Sequence, residues 1–407
     1  MVNGVEKGQV GEKLPKGWKW VRLGDVCETS SENRDPRREP NKPFHYVDIA
    51  SIDNASKQIL DFKTLLGKDA PSRARQVIRT ENVIVSTTRP NLNAVALVPQ
   101  ALENQICSTG FCVLRSSKAI EPIYLFNFVQ SGEFVQSLSN LVKGALYPAV
   151  TDRQVLDQLI PLPPLPEQKR IVAILTDRLS TIDKARTATE AQLKAAKALP
   201  AAYLREVFDR SEAQKWERKK LGEVAEIVAP QVDPKIPEYG ELPHVNGENI
   251  ESGTAQLLYL NTAKQEGMTS GKYMFDAGDV LYSKLRPYLR KVVLVDFKGL
   301  CSADMYPIKF DPRWLNSEFA VWLLLSDKFT SYANEASARS RMPKLNREQL
   351  FEWETSIPPL KKQKEVAAFI NQHREATNNL IDALQSQLTT INELPAALLR
   401  QAFNGEL

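Results

Sequence analysis

Residues 164–208 read PLPEQKRIVAILTDRLSTIDKARTATEAQLKAAKALPAAYLREVF, and residues 359–403 read PLKKQKEVAAFINQHREATNNLIDALQSQLTTINELPAALLRQAF, in step at a spacing of 195 residues. Pro163, Pro164 and Leu165 match Pro358, Pro359 and Leu360; Gln168 and Lys169 match Gln363 and Lys364; Leu199 and Pro200 match Leu394 and Pro395. Each copy opens on prolines, which suit a helix start, and then runs for over 30 residues without glycine or proline, long for a globular helix and in keeping with a coiled coil. In the second copy Val366, Ile370, His373, Thr377, Leu380, Leu384, Gln387, Ile391, Leu394 and Leu398 alternate spacings of four and three, which predicts one seam along the whole length with polar interruptions that fix register. A weaker seam runs through Ile171, Leu175, Ile182, Ala185, Ala196, Leu199 and Tyr203 of the first. At about 1.5 Å per residue such a helix is roughly 60 Å long, too long for the interior of one ordinary domain. It reads as a spacer between globular parts.

The repeat extends outside the helices. Residues 18–28 (WKWVRLGDVCE) match 216–226 (WERKKLGEVAE), residues 45–52 (HYVDIASI) match 243–250 (PHVNGENI), and residues 82–90 (NVIVSTTRP) match 279–287 (DVLYSKLRP). Ile106, Cys107 and Ser108 match Leu300, Cys301 and Ser302, and residues 148–154 match 343–349. Short β-rich runs bounded by Gly, Pro, Asn and Asp predict a mixed α and β domain in each half. The expected division is 1–160 for a first domain, 161–212 for a central helix, 213–355 for a second domain and 356–407 for a distal helix. Two domains and two helices in one chain suggest a pseudo-two-fold object, in which paired helices run antiparallel as a coiled coil with a domain at each end.

Composition narrows the function more by exclusion. The chain has 407 residues, 43% of them hydrophobic, which is enough for two or three ordinary cores. No apolar run approaches a membrane span, and residues 1–19 are too polar for a secretory signal. Cys27, Cys107, Cys112 and Cys301 lack CxxC spacing, so reduced, buried thiols in the cytoplasm are expected, and the three histidines His45, His244 and His373 supply a zinc site poorly. Glycine-rich phosphate loops, dinucleotide fingerprints, HExxH and GxSxG are all missing from the sequence. Glu167, Gln168 and Lys169 resemble the end of a nuclease motif, but a glutamate in the first turn of a helix is accounted for by the helix dipole. Asn41, Lys42, Pro43 and Phe44 do not form the tetrapeptide of an amino-methyltransferase.

Arginine and lysine, by contrast, fall in turn-like places. Arg73, Arg75 and Arg79 precede the strand that ends at Arg89 and Pro90; Lys284, Arg286, Arg290 and Lys291 surround the equivalent turn. Arg339, Arg341 and Lys344 flank Pro343, and Lys143 and Tyr147 flank its counterpart Pro148. Such side chains contact phosphates, and arginine reads guanine in the major groove. Arg89 and Arg286 lead, because they recur at one landmark. The net charge of +4 permits nucleic-acid binding without demanding it.

The run IPLPPLPEQKRIVAIL at residues 160–175, its echo IPPLKKQKEVAAFI at 357–370, the WxxxxLGDV-like openings and the ending LPAALLRQAFNGEL at 394–407 resemble the DNA-specificity subunit of type I restriction-modification enzymes, over essentially the whole chain. The resemblance implies two target-recognition domains that read the two halves of a bipartite DNA site, separated by an antiparallel coiled coil. It implies no catalysis in this chain: two modification subunits supply adenine methylation with S-adenosylmethionine, and restriction subunits supply cleavage with ATP and Mg. Because target domains vary freely in such proteins, base-reading residues do not carry over. The sequence departs from the pattern at Lys361 and Lys362, which replace Pro166 and Glu167 and weaken the start of the second helix. The other class of function open to this pattern is a coiled-coil scaffold that binds proteins, which would lack salt-sensitive, sequence-selective DNA binding.

Overall fold

The computed structural model describes residues 14–29, 32–142, 148–227, 230–338 and 343–407. The chain divides into two compact units, Met1–Thr189 with Gln387–Leu407, and Glu190–Ser386. Both long helices are continuous, Leu165–Phe208 and Leu360–Asn404, each with its late proline (Pro200, Pro395) accommodated inside. They are called here the central and the distal helix. Each unit takes the beginning of one and the end of the other, so within each unit the two pieces run antiparallel.

The two units repeat one sheet plan. In the first, Lys63–Leu66, Pro43–Val47, Gln105–Ser108 and Ala74–Ile78 form one four-stranded sheet, and Cys27–Thr29, Phe111–Ser116, Val83–Ser86 and Val95–Leu97 form another. In the second, Pro243–Val245 and Gly299–Cys301 occupy the centre of a five-stranded sheet beside a four-stranded one. Among the described residues each unit has one parallel pairing, and it falls at matched residues, Val47 with Cys107 and Val245 with Cys301, as the sequence repeat requires. A two-stranded ribbon closes each unit, Lys19–Arg22 on Leu159–Leu162 and Glu217–Lys220 on Glu354–Ile357. All four cysteines are free and buried, and burial pushes the Cys27 and Cys301 thiols up to about 12, so they are inert packing groups.

The helices complete the cores. Ile171 and Leu175 from the start of the central helix meet Leu398, Leu399, Ala402 and Phe403 from the end of the distal one, and the Phe403 ring stands edge-on to Tyr124 and Phe128 at 5.3 and 5.2 Å. In the second unit Val366, Ala367 and Ile370 meet Leu204 and Phe208 in the same way. The distal seam holds at most of its expected positions and shifts by one residue at three of them. Val366, Ile370, Thr377, Leu384, Ile391 and Leu398 are buried, but Leu380, Gln387 and Leu394 are exposed, and Ile381 and Leu388 are the half-buried members instead. Both choices satisfy the alternation of four and three; the one adopted turns Gln387 to the surface and brings in Ile381 and Leu388.

The first turn of each long helix is fixed by a fully buried glutamine. Gln168 accepts from the Glu121 N–H at 2.8 Å through Oε1 and donates through Nε2 to the carbonyls of Ala119 at 3.1 Å and Pro163 at 2.9 Å. Gln363 accepts from the Asn316 N–H at 2.8 Å and donates to Trp314 and Pro358, both at 2.8 Å. Lys361 and Lys362 do not delay the distal helix, which begins at Leu360 just as the central one begins at Leu165. We expect Gln168→Ala, which leaves a buried N–H and two carbonyls unsatisfied, to destabilise the first unit by about 2–4 kcal/mol in denaturant titration; a loss below about 1 kcal/mol would mean that the helix start is held by apolar packing alone.

Candidate nucleic-acid interface

In both units a strand ends in the same strained turn. Val83–Ser86 is followed by Arg89 and the 3-10 turn Pro90–Leu92; Val280–Ser283 is followed by Arg286 and Pro287–Leu289. Arg89 (φ 51°, ψ 60°) and Arg286 (φ 50°, ψ 65°) are left-handed, and so are Asn93 and Arg290 at the other end of each turn. For a non-glycine residue that conformation costs roughly 1–2 kcal/mol, and a residue before proline favours extended backbone. The surroundings hold it in place. The Arg89 N–H donates to the Pro148 carbonyl at 2.7 Å, and the Arg286 N–H to the Pro343 carbonyl at 2.8 Å. Thr88 bridges Ala149, and Leu285 bridges Lys344. Ser86 and Ser283 donate from their backbone N–H to Ala94 and Lys291 across the base of the turn. Maintained backbone strain at an exposed position suggests a functional site.

The two leading arginines are exposed and have no ion-pair partner among the described residues. Arg73 is likewise exposed, and Lys344 is exposed with its Nζ 4.0 Å from Asp304. The other cations are engaged inside their domains. Lys284 donates to the Ala303 carbonyl, lies 3.8 Å from Asp304 and sits over the Tyr306 ring, and burial holds its pKa below the usual lysine value. Lys291 donates to the Gly247 carbonyl, and Arg290 pairs with Asp327 at the first position of the helix Asp327–Ser337. Arg75 pairs with Asp35 at 3.3 Å and donates to its neighbour's carbonyl, and Arg79 pairs with Glu32 at 2.6 Å. Lys143, Tyr147, Arg339 and Arg341 lie outside the described residues. The structure thus sets Arg286 beside the segment of Lys344, through the Leu285–Lys344 bridge, and engages Lys284, Arg290 and Lys291 within the second unit around the turn that carries Arg286.

A second matched element adjoins each turn. Residues 58–62 (QILDF) and 256–260 (QLLYL) occupy equivalent hairpins, with Leu60 N–H bonded to the Ser51 carbonyl and Leu258 N–H to the Asn249 carbonyl. Lys57 and Ala255 are left-handed at corresponding places. The hairpins touch the turns directly: Lys57 Nζ donates to the Asn93 carbonyl at 2.6 Å, and the Gly253 N–H to the Arg290 carbonyl at 3.0 Å. Leu60 is 60% exposed, Leu258 56% and Tyr259 53%, and Tyr288 at the tip of the second turn is 54% exposed. These residues escaped the reading of the sequence, although the match of QILDF to QLLYL at the repeat spacing was there to find.

Among the described residues no group of His, Cys, Asp and Glu could hold a metal ion. His244 is buried with its Nδ1 2.6 Å from Glu266, and burial lowers its pKa, which describes a packed pair rather than an exposed base.

The family of the type I restriction modification DNA specificity domain matches residues 15–195 and again 213–390. The specificity subunit of type I restriction enzyme EcoDI from Escherichia coli is 33% identical over 192 residues, a match that spans 47% of this chain and 42% of that one, less than half of either. The crystal structure of an HsdS subunit from Thermoanaerobacter tengcongensis shares 33% identity and covers 97% of this chain and 98% of its own, with a TM-score of 0.71. A chain solved in work on complex assembly and conformational transition of the type I R-M system shares 32% identity over 98% of this chain and 100% of its own, with a TM-score of 0.81. With the specificity domain present twice, over most of its length, the chain belongs to the type I restriction-modification DNA-specificity family.

Proposed function

We propose that each domain reads one half of a bipartite DNA site through the surface around its Arg-Pro turn, and that the two long helices set the unspecified spacer and dock two modification subunits. The observation that carries this reading is the recurrence of one left-handed arginine, exposed and without a described ion-pair partner, at the same turn of both units. A protein-binding scaffold has no use for duplicated cations held at the cost of backbone strain, whereas phosphate and guanine contacts do. Methylation then draws on S-adenosylmethionine in the modification subunits, and cleavage on ATP and Mg in restriction subunits; this chain supplies neither. Among the described residues no helix is long and apolar enough to cross a membrane, and the work on DNA that we propose belongs in the cytoplasm.

Arg286→Gly separates recognition from folding. Glycine enters the left-handed region freely, so stability is expected to hold or to rise by up to about 1 kcal/mol, while DNA affinity falls and, if the lost contact is to phosphate, the salt slope flattens by roughly one unit. Unchanged affinity at every salt concentration would remove Arg286 from the interface.

Exchange of residues 216–354 for the equivalent domain of another family member is expected to change one half of the methylated motif, read by single-molecule sequencing of DNA from cells that carry the chain and its modification subunit. A change in both halves contradicts the division of labour.

The spacer reading is tested by insertion of a heptad after Ala185 in the central helix or Leu380 in the distal one. Seven residues add about 10 Å, or roughly three base pairs, and preserve the seam, so the motif should gain spacer length with both halves intact. Methylation that persists with the old spacer would make the helices plain connectors.

A further inference from the structure

The two recognition turns share a frame but differ in what anchors it. In the second unit Arg374 projects from the distal helix, its guanidinium over the Trp322 ring at 5.3 Å, and its Nη1 donates to the Thr254 carbonyl at 2.9 Å. Thr254 lies in the turn of the hairpin whose next residue back, Gly253, donates its N–H to the Arg290 carbonyl at 3.0 Å. Arg290 closes the turn that opens at Arg286, and its own side chain is held by Asp327, which also lies 3.7 Å from Arg205 of the central helix. Both long helices therefore reach the turn, the distal one through two backbone carbonyls and the central one through a carboxylate.

Among the described residues the first unit has no counterpart of this linkage. Its hairpin reaches the turn by the flexible Lys57 side chain, and Asn93 donates to the Gln130 carbonyl at 3.2 Å within the same domain. The position that corresponds to Arg374 is Leu179, a partly buried member of the apolar core, and the position that corresponds to Asp327 is Gly132, which has no side chain to pair. A guanidinium partly withdrawn from water and aimed at a backbone carbonyl is a costly device for packing alone, since a leucine serves that purpose in the sister unit.

We propose that Arg374 is a positioning residue for the second recognition turn: by holding the Gly253 hairpin against Arg290 it sets where Arg286 presents its guanidinium, so reading of the second half-site depends on the distal helix and reading of the first does not. This rests on the turn being the DNA-reading surface. The test uses the full chain assembled with its modification subunits and duplexes that carry the methylated motif with one base changed in either half. In Arg374→Met, which keeps an aliphatic cover on Trp322 but removes the donor, discrimination in the second half should fall about tenfold, on the scale of one base contact, with the first half and the salt slope unchanged. Amide exchange at Gly253 should accelerate, and Arg374→Lys, which restores a donor, should recover most of the loss. Equal loss in both halves, or none with Gly253 protection unaltered, overturns the proposal when Arg286→Ala does weaken second-half recognition. If Arg286→Ala is silent as well, it is the DNA-reading surface itself that has been misplaced.

Discussion

The structure depends on a neutral amide buried where each domain hands its chain to a long helix. The chain arrives through two prolines, which have carbonyls but no N–H groups, and it must turn from a strand into a helix against a loop whose own backbone groups face inward. Gln168 and Gln363 meet that need because a carboxamide donates twice and accepts twice, whereas a glutamate or lysine there would bring an uncompensated charge out of water. Once the amide is seated, the exit direction of the helix is set. Ile171 and Leu175, or Val366 and Ile370, then fall on the core, and the tail of the other long helix has a surface to meet.

A frame set in this way is insensitive to what the domains carry. The backbone bonds of the two Arg-Pro turns agree almost one for one, from the N–H of Arg89 or Arg286 to the carbonyl of Pro148 or Pro343. The side chains placed upon them differ: asparagine, leucine and asparagine follow Pro90, while tyrosine, leucine and arginine follow Pro287. Base discrimination of about 1–3 kcal/mol per contact is within reach of single side-chain changes, so targets can diverge without disturbing the frame.

What the sequence made legible follows from where repetition constrains chemistry. The paired prolines, glutamines and cysteines, and the Arg-Pro turn, could be aligned because both copies need the same backbone path there. The distal seam departs from expectation at Leu380, Gln387 and Leu394 because Leu380 and Leu394 compete with Ile381 and Leu388 for the same inward stripe, and only packing against a neighbour decides between them. Of the cations, composition could not separate Lys284, whose ammonium is occupied by the Ala303 carbonyl, from Arg286, which faces solvent; position in the repeat favoured Arg286, and the structure supplies the reason in its left-handed backbone. Arg374 was invisible because its counterpart in the repeat is Leu179, with no cation to match, and its partner is a main-chain carbonyl.

That difference bears on how freely the two domains can be exchanged. Among the described residues the first Arg-Pro turn is anchored by contacts within its own domain, so a replacement for the first domain brings that anchor with it. The second is anchored partly from the helices, by Arg374 and by Arg205 through Asp327. A foreign second domain must therefore present a carbonyl where Thr254 does and a carboxylate where Asp327 does, or leave one arginine half-buried without its acceptor and the other unpaired. The half-buried group carries the larger penalty, because a desolvated donor left unmade costs on the order of 1–3 kcal/mol, while an exposed ion pair is worth less than about 1 kcal/mol. Modularity in this chain is thus greater for the first domain than for the second, and the larger part of the asymmetry originates in Arg374 on the distal helix.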